Sequence, residues 1–228
     1  MQGGVPEPIR ALNRVALRES GEALVDIRRQ CPGVRVSRRC LPFLRGTVAE
    51  MLSRAQDALP PGYRLWVRTA LRTLGIQREM YDRYFGGLRE KHPDWGHAAL
   101  RRATNRFFAP VDQKAAPGHC TGAAVDVHLV TPGGHPADLR SPFSGWDAAP
   151  TWRDGFTLAA TRNRAILYHA MIGAGFSNCR DEFWHYSYGD AAWAVRTGAV
   201  ACFYGLVEPP EWWVCRHGGD TVPGFPKP

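Results

Sequence analysis

Lysine is scarce in this 228-residue sequence: of 29 basic side chains, 26 are Arg and only Lys91, Lys114 and Lys227 are Lys. Long apolar runs are missing too, and none approaches the ~20 residues that span a bilayer, which excludes a helical membrane span. The six cysteines include no CxxC pair and are sparse for the chain length, so they read as buried free thiols rather than a disulfide framework. The start, MQGGVPEPIRALNRVALRES, has no apolar stretch of the kind a secretory leader needs, and the expected location is cytoplasmic. No block of five or six like charges occurs, and no groove-reading helix or stacking-sheet signature is present. The arginines therefore read mainly as solvated surface, with no specific nucleic-acid partner.

What is present is the composition of an ordinary folded domain, 44% hydrophobic and 22% charged. A chain of this length buries roughly 70% of its unfolded surface, enough for one substantial core. Charge is uneven: residues 1–110 hold 20 Lys and Arg against 10 Asp and Glu, whereas residues 111–228 hold 9 against 11.

Periodicity and turn residues predict the elements. Thr47 and Glu50 form a capping-box pattern ahead of a helix from Val48 to Leu59, which Pro60-Pro61-Gly62 stops. Tyr63 to Thr69 reads as a strand. Apolar or aromatic residues at Ile76, Met80, Tyr84 and Leu88 give a helical stripe over residues 76–90, and 96–107 reads as a basic helix. Gly122 to Val130 is a strand, with Pro132-Gly133-Gly134 closing a hairpin candidate. Alternation places Ala124, Asp126 and His128 on one of its faces. Leu158 to Gly173 is a helix, Phe183 to Tyr188 a short strand, and Asp190 can cap a helix over 191–196. Mixed order with hairpin signals points to a single α+β domain, an antiparallel sheet with flanking helices. Residues 1–24 read as an N-terminal extension, 25–208 as the domain and 209–228 as a Pro/Gly/Trp-rich tail wrapping the surface.

Two segments concentrate metal-competent side chains: His119-Cys120-Thr121-Gly122-Ala123-Ala124-Val125-Asp126 and Glu182-Phe183-Trp184-His185. Catalytic zinc takes three N/O protein donors and leaves one position open. His119, Asp126 and His185 supply that set, and Glu182 is left over as a carboxylate able to move the proton of a water. Two tensions remain at this level. His128 shares the strand face of Asp126 and is a rival ligand. Glu182 and His185, three apart, would point oppositely in a regular strand, so the chain must bend near Asp181 to Phe183. Cys120 beside His119 is a nucleophile alternative without an evident orienting partner.

The segment HCTGAAVD resembles the SxHxxGxAxD motif, and DEFWHY the ExWH motif, of the D-Ala-D-Ala metallopeptidases, most closely the VanX-type D-alanyl-D-alanine dipeptidases. LWVRTALRT (65–73) is similar to the family's arginine-bearing strand, TRNRAILYHAMIGAGF to its helix before ExWH, and VDIR (25–28) to its N-terminal strand. The resemblance implies the hedgehog/DD-peptidase fold, one Zn2+ per chain on His119, Asp126 and His185, and Glu182 as general base and acid. It also implies Arg72 as the group polarising the scissile carbonyl and a small peptide as substrate. Because the hedgehog signalling domain resembles this fold, a zinc-binding module without turnover is the alternative. Nothing in the sequence points to a particular oligomer.

The sequence departs from the family at peripheral positions. Arg29 stands where the family usually has Tyr, Ser144 of LRSPFS (139–144) where an Asp pairs with the substrate ammonium, and Pro117 where Ser precedes the first ligand. Arg29, Ser144 and Trp184 are therefore the candidate substrate contacts, with Asp147 able to replace the missing carboxylate after a loop shift. A substrate altered at its amino end, acylated, extended or acidic, is the corresponding expectation.

Overall fold

The computed structural model describes residues 5–213. Along them run α1 (Ile9–Leu12), β1 (Ala16–Leu17), β2 (Leu24–Asp26), α2 (Ile27–Gln30), β3 (Arg35–Val36), β4 (Phe43–Arg45), α3 (Gly46–Asp57) and β5 (Arg64–Thr69). There follow α4 (Leu74–Lys91), α5 (His97–Asn105), β6 (Ala124–Val130), α6 (Leu158–Gly173), β7 (Ser177–Asn178), β8 (His185–Ser187), α7 (Ala191–Thr197) and β9 (Ala201–Cys202). The class is α+β.

The central sheet has the order β3-β5-β6-β8-β7. Its middle strand, β6, pairs antiparallel with β5 and β8, placing Trp66 opposite His128 and Asp126 opposite His185. Alternation then divides the sheet. Leu65, Val67, Val125, Val127 and Leu129 enter the core with Val48, Leu52 and Ala55 of α3 and Leu167, Ala170 and Met171 of α6. The opposite face keeps Asp126, His128 and His185 for chemistry. A bulge between Val67 and Thr69 inserts Arg68 as an unpaired extra residue.

Several expectations are corrected by long-range pairing. The sheet is not wholly antiparallel: β3 runs parallel to β5, the crossover carrying β4 and α3, and β1 runs parallel to β9. Pro132-Gly133-Gly134 returns the chain antiparallel onto the end of β6, but only briefly: Thr131 N–H donates to His135 O at 2.8 Å and Ala137 N–H to Leu129 O at 2.9 Å about a single bridge from Val130 to Pro136, with no further strand. The Thr47/Glu50 capping box does not form. The helix begins at Gly46, and Glu22 caps it from outside, accepting from Thr47 N at 2.6 Å and Thr47 Oγ1 at 2.7 Å. Thr73, Thr157 and Asp190 do cap α4, α6 and α7.

The segment before residue 25 is stitched to the rest. Arg45, 4% exposed, donates to Glu22 O at 2.5 Å, Thr121 O at 2.8 Å and Gly205 O at 3.2 Å, and Glu22 also accepts from the Tyr204 hydroxyl. Of the expected tail, Trp212 and Trp213 pack edge-on against Phe43, and residues 214–228 lie outside the described residues. Among the described residues no helix is long and apolar enough to cross a membrane, and the five cysteines are unpaired.

Candidate active site

The site is assembled where a tight turn meets the start of β6. Gly118–Thr121 make one 3-10 turn, and Gly122 leaves it at φ +69°, where a Cβ would stand 2.6 Å from Leu24 Cδ2. The positive φ favours glycine there, and the reversal carries His119 back beside Asp126. His119 Nδ1 donates to Ala70 O at 2.8 Å, which fixes the tautomer and leaves the Nε2 lone pair free. That Nε2, Asp126 Oδ1 and His185 Nδ1 are mutually 3.1 Å apart. His128 is not part of the cluster. Its ring meets Trp66 edge-on at 6.3 Å and Phe183 at 5.6 Å, and burial pushes its pKa down to about 3.

Electrostatics follow from burial and mutual pairing. Burial pushes Asp126 up, but the charges and hydrogen bonds of His119, His185 and Arg72 override it and hold the carboxylate well below its usual range. Burial lowers His119, whereas for His185 the hydrogen bond and charge of Asp126 outweigh burial and raise it. Cys120 is unsuited as a nucleophile: its thiol faces Thr73 O, and burial lifts its pKa to about 12.

The bend expected near Asp181 to Phe183 is present, for β8 begins only at His185 and residues 183–184 form a turn closed by His185 N–H to Glu182 O at 3.1 Å. Burial pushes the Glu182 carboxyl up to about 7, Asp126 adding to the shift while His185 and Arg72 oppose it. The turn is anchored from below: Phe183 N–H donates to Ala149 O at 2.8 Å and its ring lies 4.0 Å from the Arg164 guanidinium. Among the described residues Arg164 has no carboxylate partner. It donates to the carbonyls of Leu139 and Pro150 at 2.6 Å and to that of Ala148, and burial lowers its pKa to about 10.

Arg72 follows β5 and is locked to the zinc-type cluster. Its backbone N–H donates to His119 O at 3.0 Å, Nη2 to Asp126 Oδ2 at 3.2 Å and Nη1 to Gln77 Oε1 at 3.2 Å, while buried Nε has no partner. Gln77, 2% exposed, is held in turn by Ala109 O at 2.8 Å. Sequence reasoning missed it, the only available signal being a polar residue in the first turn of α4 beside stripe position Ile76.

These groups open on a cavity of about 880 Å³. The stripe residues Met80, Tyr84 and Leu88 line it rather than filling the core, and Trp184 lines it as well. Arg29 and Ser144 do not: both are exposed. In the single turn of α2 only Ile27 is buried, which leaves Arg29 facing water. Ser144 follows Phe143, whose ring packs on Phe156 instead. Asp147 is also outside, 3.7 Å from Arg153.

The donor set fits zinc. Two imidazole nitrogens and a carboxylate oxygen are its common ligands, and bonds of 2.0–2.1 Å in a tetrahedron require donor separations of about 3.3 Å, against 3.1 Å here.

Comparison with known proteins gives the relatives. A mutant of the vancomycin-resistance D,D-pentapeptidase VanY in complex with Zn(II) aligns with TM-score 0.47 at 17% identity, over 82% of this chain and 90% of that one. VanYB in complex with D-alanine-D-alanine gives 0.48 at 16%, over 84% and 94%. A D-alanyl-D-alanine dipeptidase of Synechocystis sp. is 26% identical over 72% of this chain and 79% of its own length. That of Escherichia coli K12 is 28% identical over 57% and 64%. Residues 93–203, which contain His119, Asp126, Glu182 and His185, match the Peptidase_M15 family, described as D-ala-D-ala dipeptidase. Over residues 93–203 the chain is thus similar to the D-alanyl-D-alanine dipeptidases of the Peptidase_M15 family.

Proposed function

We propose that this chain hydrolyses the peptide bond of a D-Ala-D-Ala-like dipeptide or related D-amino-acid peptide, with one zinc ion per chain held by His119, Asp126 and His185. The observation carrying this reading is the convergence of His119 Nε2, Asp126 Oδ1 and His185 Nδ1 within 3.1 Å beside a carboxyl and a guanidinium that line the same cavity. Zinc bound there supplies a Lewis acid and acidifies water.

The chain's own groups do the rest. Glu182, with a pKa near the working pH, accepts the proton of the attacking water and returns it to the leaving amine. Arg72 is fixed by Asp126 and Gln77, so its remaining N–H groups are preorganised for the oxygen of the scissile carbonyl as negative charge develops on it. Trp184 gives a substrate side chain an apolar wall. A zinc-binding module without turnover would have no use for Glu182 and Arg72 aimed into one cavity. The catalytic unit spans 25–208, with residues 9–24 packed onto it. A cytoplasmic location is part of the proposal and rests on the unpaired thiols.

The test is hydrolysis of D-Ala-D-Ala by the zinc-loaded protein beside Glu182→Ala. The wild type should turn over and the variant should lose about 10²- to 10⁴-fold with its zinc retained. Equal activity of the two would remove Glu182 from the mechanism.

A further inference from the structure

Among the cations lining the cavity, Arg68 and Arg140 are held against aromatic rings and have no acidic partner among the described residues. Arg68, the extra residue of the β5 bulge, is half-buried and lies 4.2 Å over the Trp66 ring. Arg140 is half-buried with its guanidinium 5.8 Å from the Trp184 ring. Neither makes an ion pair, whereas the acids around the same cavity are committed: Glu7 to Arg196 at 2.8 Å, Asp181 to Arg180 at 3.3 Å, and Asp190 Oδ1 to capping α7. The charges of Arg140 and Arg35 add to the burial that lowers Arg68. Like charges held together on aromatic faces and turned into a recess repel unless an anion sits between them.

Both are held in place before any ligand arrives. Asp138 Oδ1 accepts the backbone N–H groups of Arg140 and Ser141 at 3.0 Å each, and Arg164 and Asn163 grip the carbonyls of Leu139 and Asp138 at 2.6 and 2.9 Å. Arg68 is pinned by the bulge and by Trp66. The volume of about 880 Å³ exceeds what a dipeptide fills, so the reacting bond at Glu182 and an anion at the arginines fit at once.

We infer that Arg68 and Arg140 form an anion-binding subsite that takes a carboxylate of the substrate outside the scissile dipeptide, so that the preferred substrates are N-acyl peptides whose acyl group carries an acid. This rests on the hydrolytic reading above and replaces Arg29 and Ser144 as the source of a changed substrate preference. No free carboxylate in the cavity other than Glu182 and the buried Asp190 Oδ2 faces a substrate ammonium, so a zwitterionic dipeptide leaves its ammonium unpaired while both arginines also lack a partner.

Zinc-loaded protein is assayed with D-Ala-D-Ala, acetyl-D-Ala-D-Ala and succinyl-D-Ala-D-Ala, in wild type, Arg68→Gln and Arg140→Gln. The expected order of kcat/KM is succinyl above acetyl above free dipeptide. Each substitution should cut the succinyl substrate roughly tenfold or more, mainly in KM, and leave the acetyl substrate within about twofold. Calorimetry with glutarate supplies a readout that needs no turnover: its affinity should fall in each variant at unchanged zinc content. Turnover that ignores the acyl charge, or variants that bind glutarate as wild type does, overturns the subsite. Absence of cleavage throughout with arginine-dependent glutarate binding would instead sink the peptidase reading and leave the subsite standing.

Discussion

The two walls of the cavity handle charge in opposite ways. Asp126 is surrounded by partners at hydrogen-bond distance: two imidazoles at 3.1 Å and a guanidinium at 3.2 Å. Elsewhere in the lining Arg68 and Arg140 lie over the Trp66 and Trp184 rings and, among the described residues, make no ion pair. The first is a closed hydrogen-bonded network around a carboxylate, and the second is a concentration of positive charge. Arg164 ties the two regions together, stacking on Phe183 beside Glu182 while gripping the carbonyl of Leu139 beside Arg140.

Breaking the closed wall should have the largest effect. In His119→Ala the zinc content after dialysis, read by atomic absorption, should fall from one per chain to near zero, and turnover with it. The next effect in size belongs to Arg72→Lys, which keeps the charge but cannot reach Asp126 and Gln77 together. Its kcat/KM should drop about 10²- to 10³-fold with zinc intact, and an unchanged kcat would remove Arg72 from the chemistry.

The tie between the walls is tested by Arg164→Met. It strands the carbonyls of Leu139, Ala148, Pro150 and Thr151, which should cost about 3 kcal/mol in urea unfolding. A loss under about 0.5 kcal/mol, the ordinary range of a surface change, would show that the walls are held independently.

The smallest effect is on pH dependence. Glu182 must be ionised to act as base, and its pKa is raised to about 7, so kcat/KM should fall tenfold per unit as pH drops below the acid limb. Zinc brings positive charge nearby and places that limb at or below about 7. In Glu182→Gln the residual rate should lose this limb, and its persistence would assign it to another group.

The paired zinc segments were legible because turn, strand and bend each leave a local mark: Gly122 at the reversal, alternation through Asp126, and loop residues before Glu182. The helices α4, α6 and α7 were legible from stripe and cap. What failed was decided by chain segments distant in sequence. Glu22 displaced the Thr47/Glu50 box, β3 joined the sheet edge parallel to β5, and the Met80 to Leu88 part of the stripe faces a cavity that periodicity cannot tell from a core. Arg68 was illegible for a similar reason, since a bulge is visible only once β5 and β6 are in register. Arg29 and Ser144 were read from motif alignment, and the fold turns both to solvent.

The most direct test of the central claim is zinc K-edge X-ray absorption on the reconstituted protein. The expected result is one zinc per chain with two imidazoles and one carboxylate oxygen among its donors and no sulfur, a pattern that Asp126→Ala disrupts. Sulfur in the coordination shell, which would bring in Cys120, or a third imidazole, which would bring in His128, would contradict it.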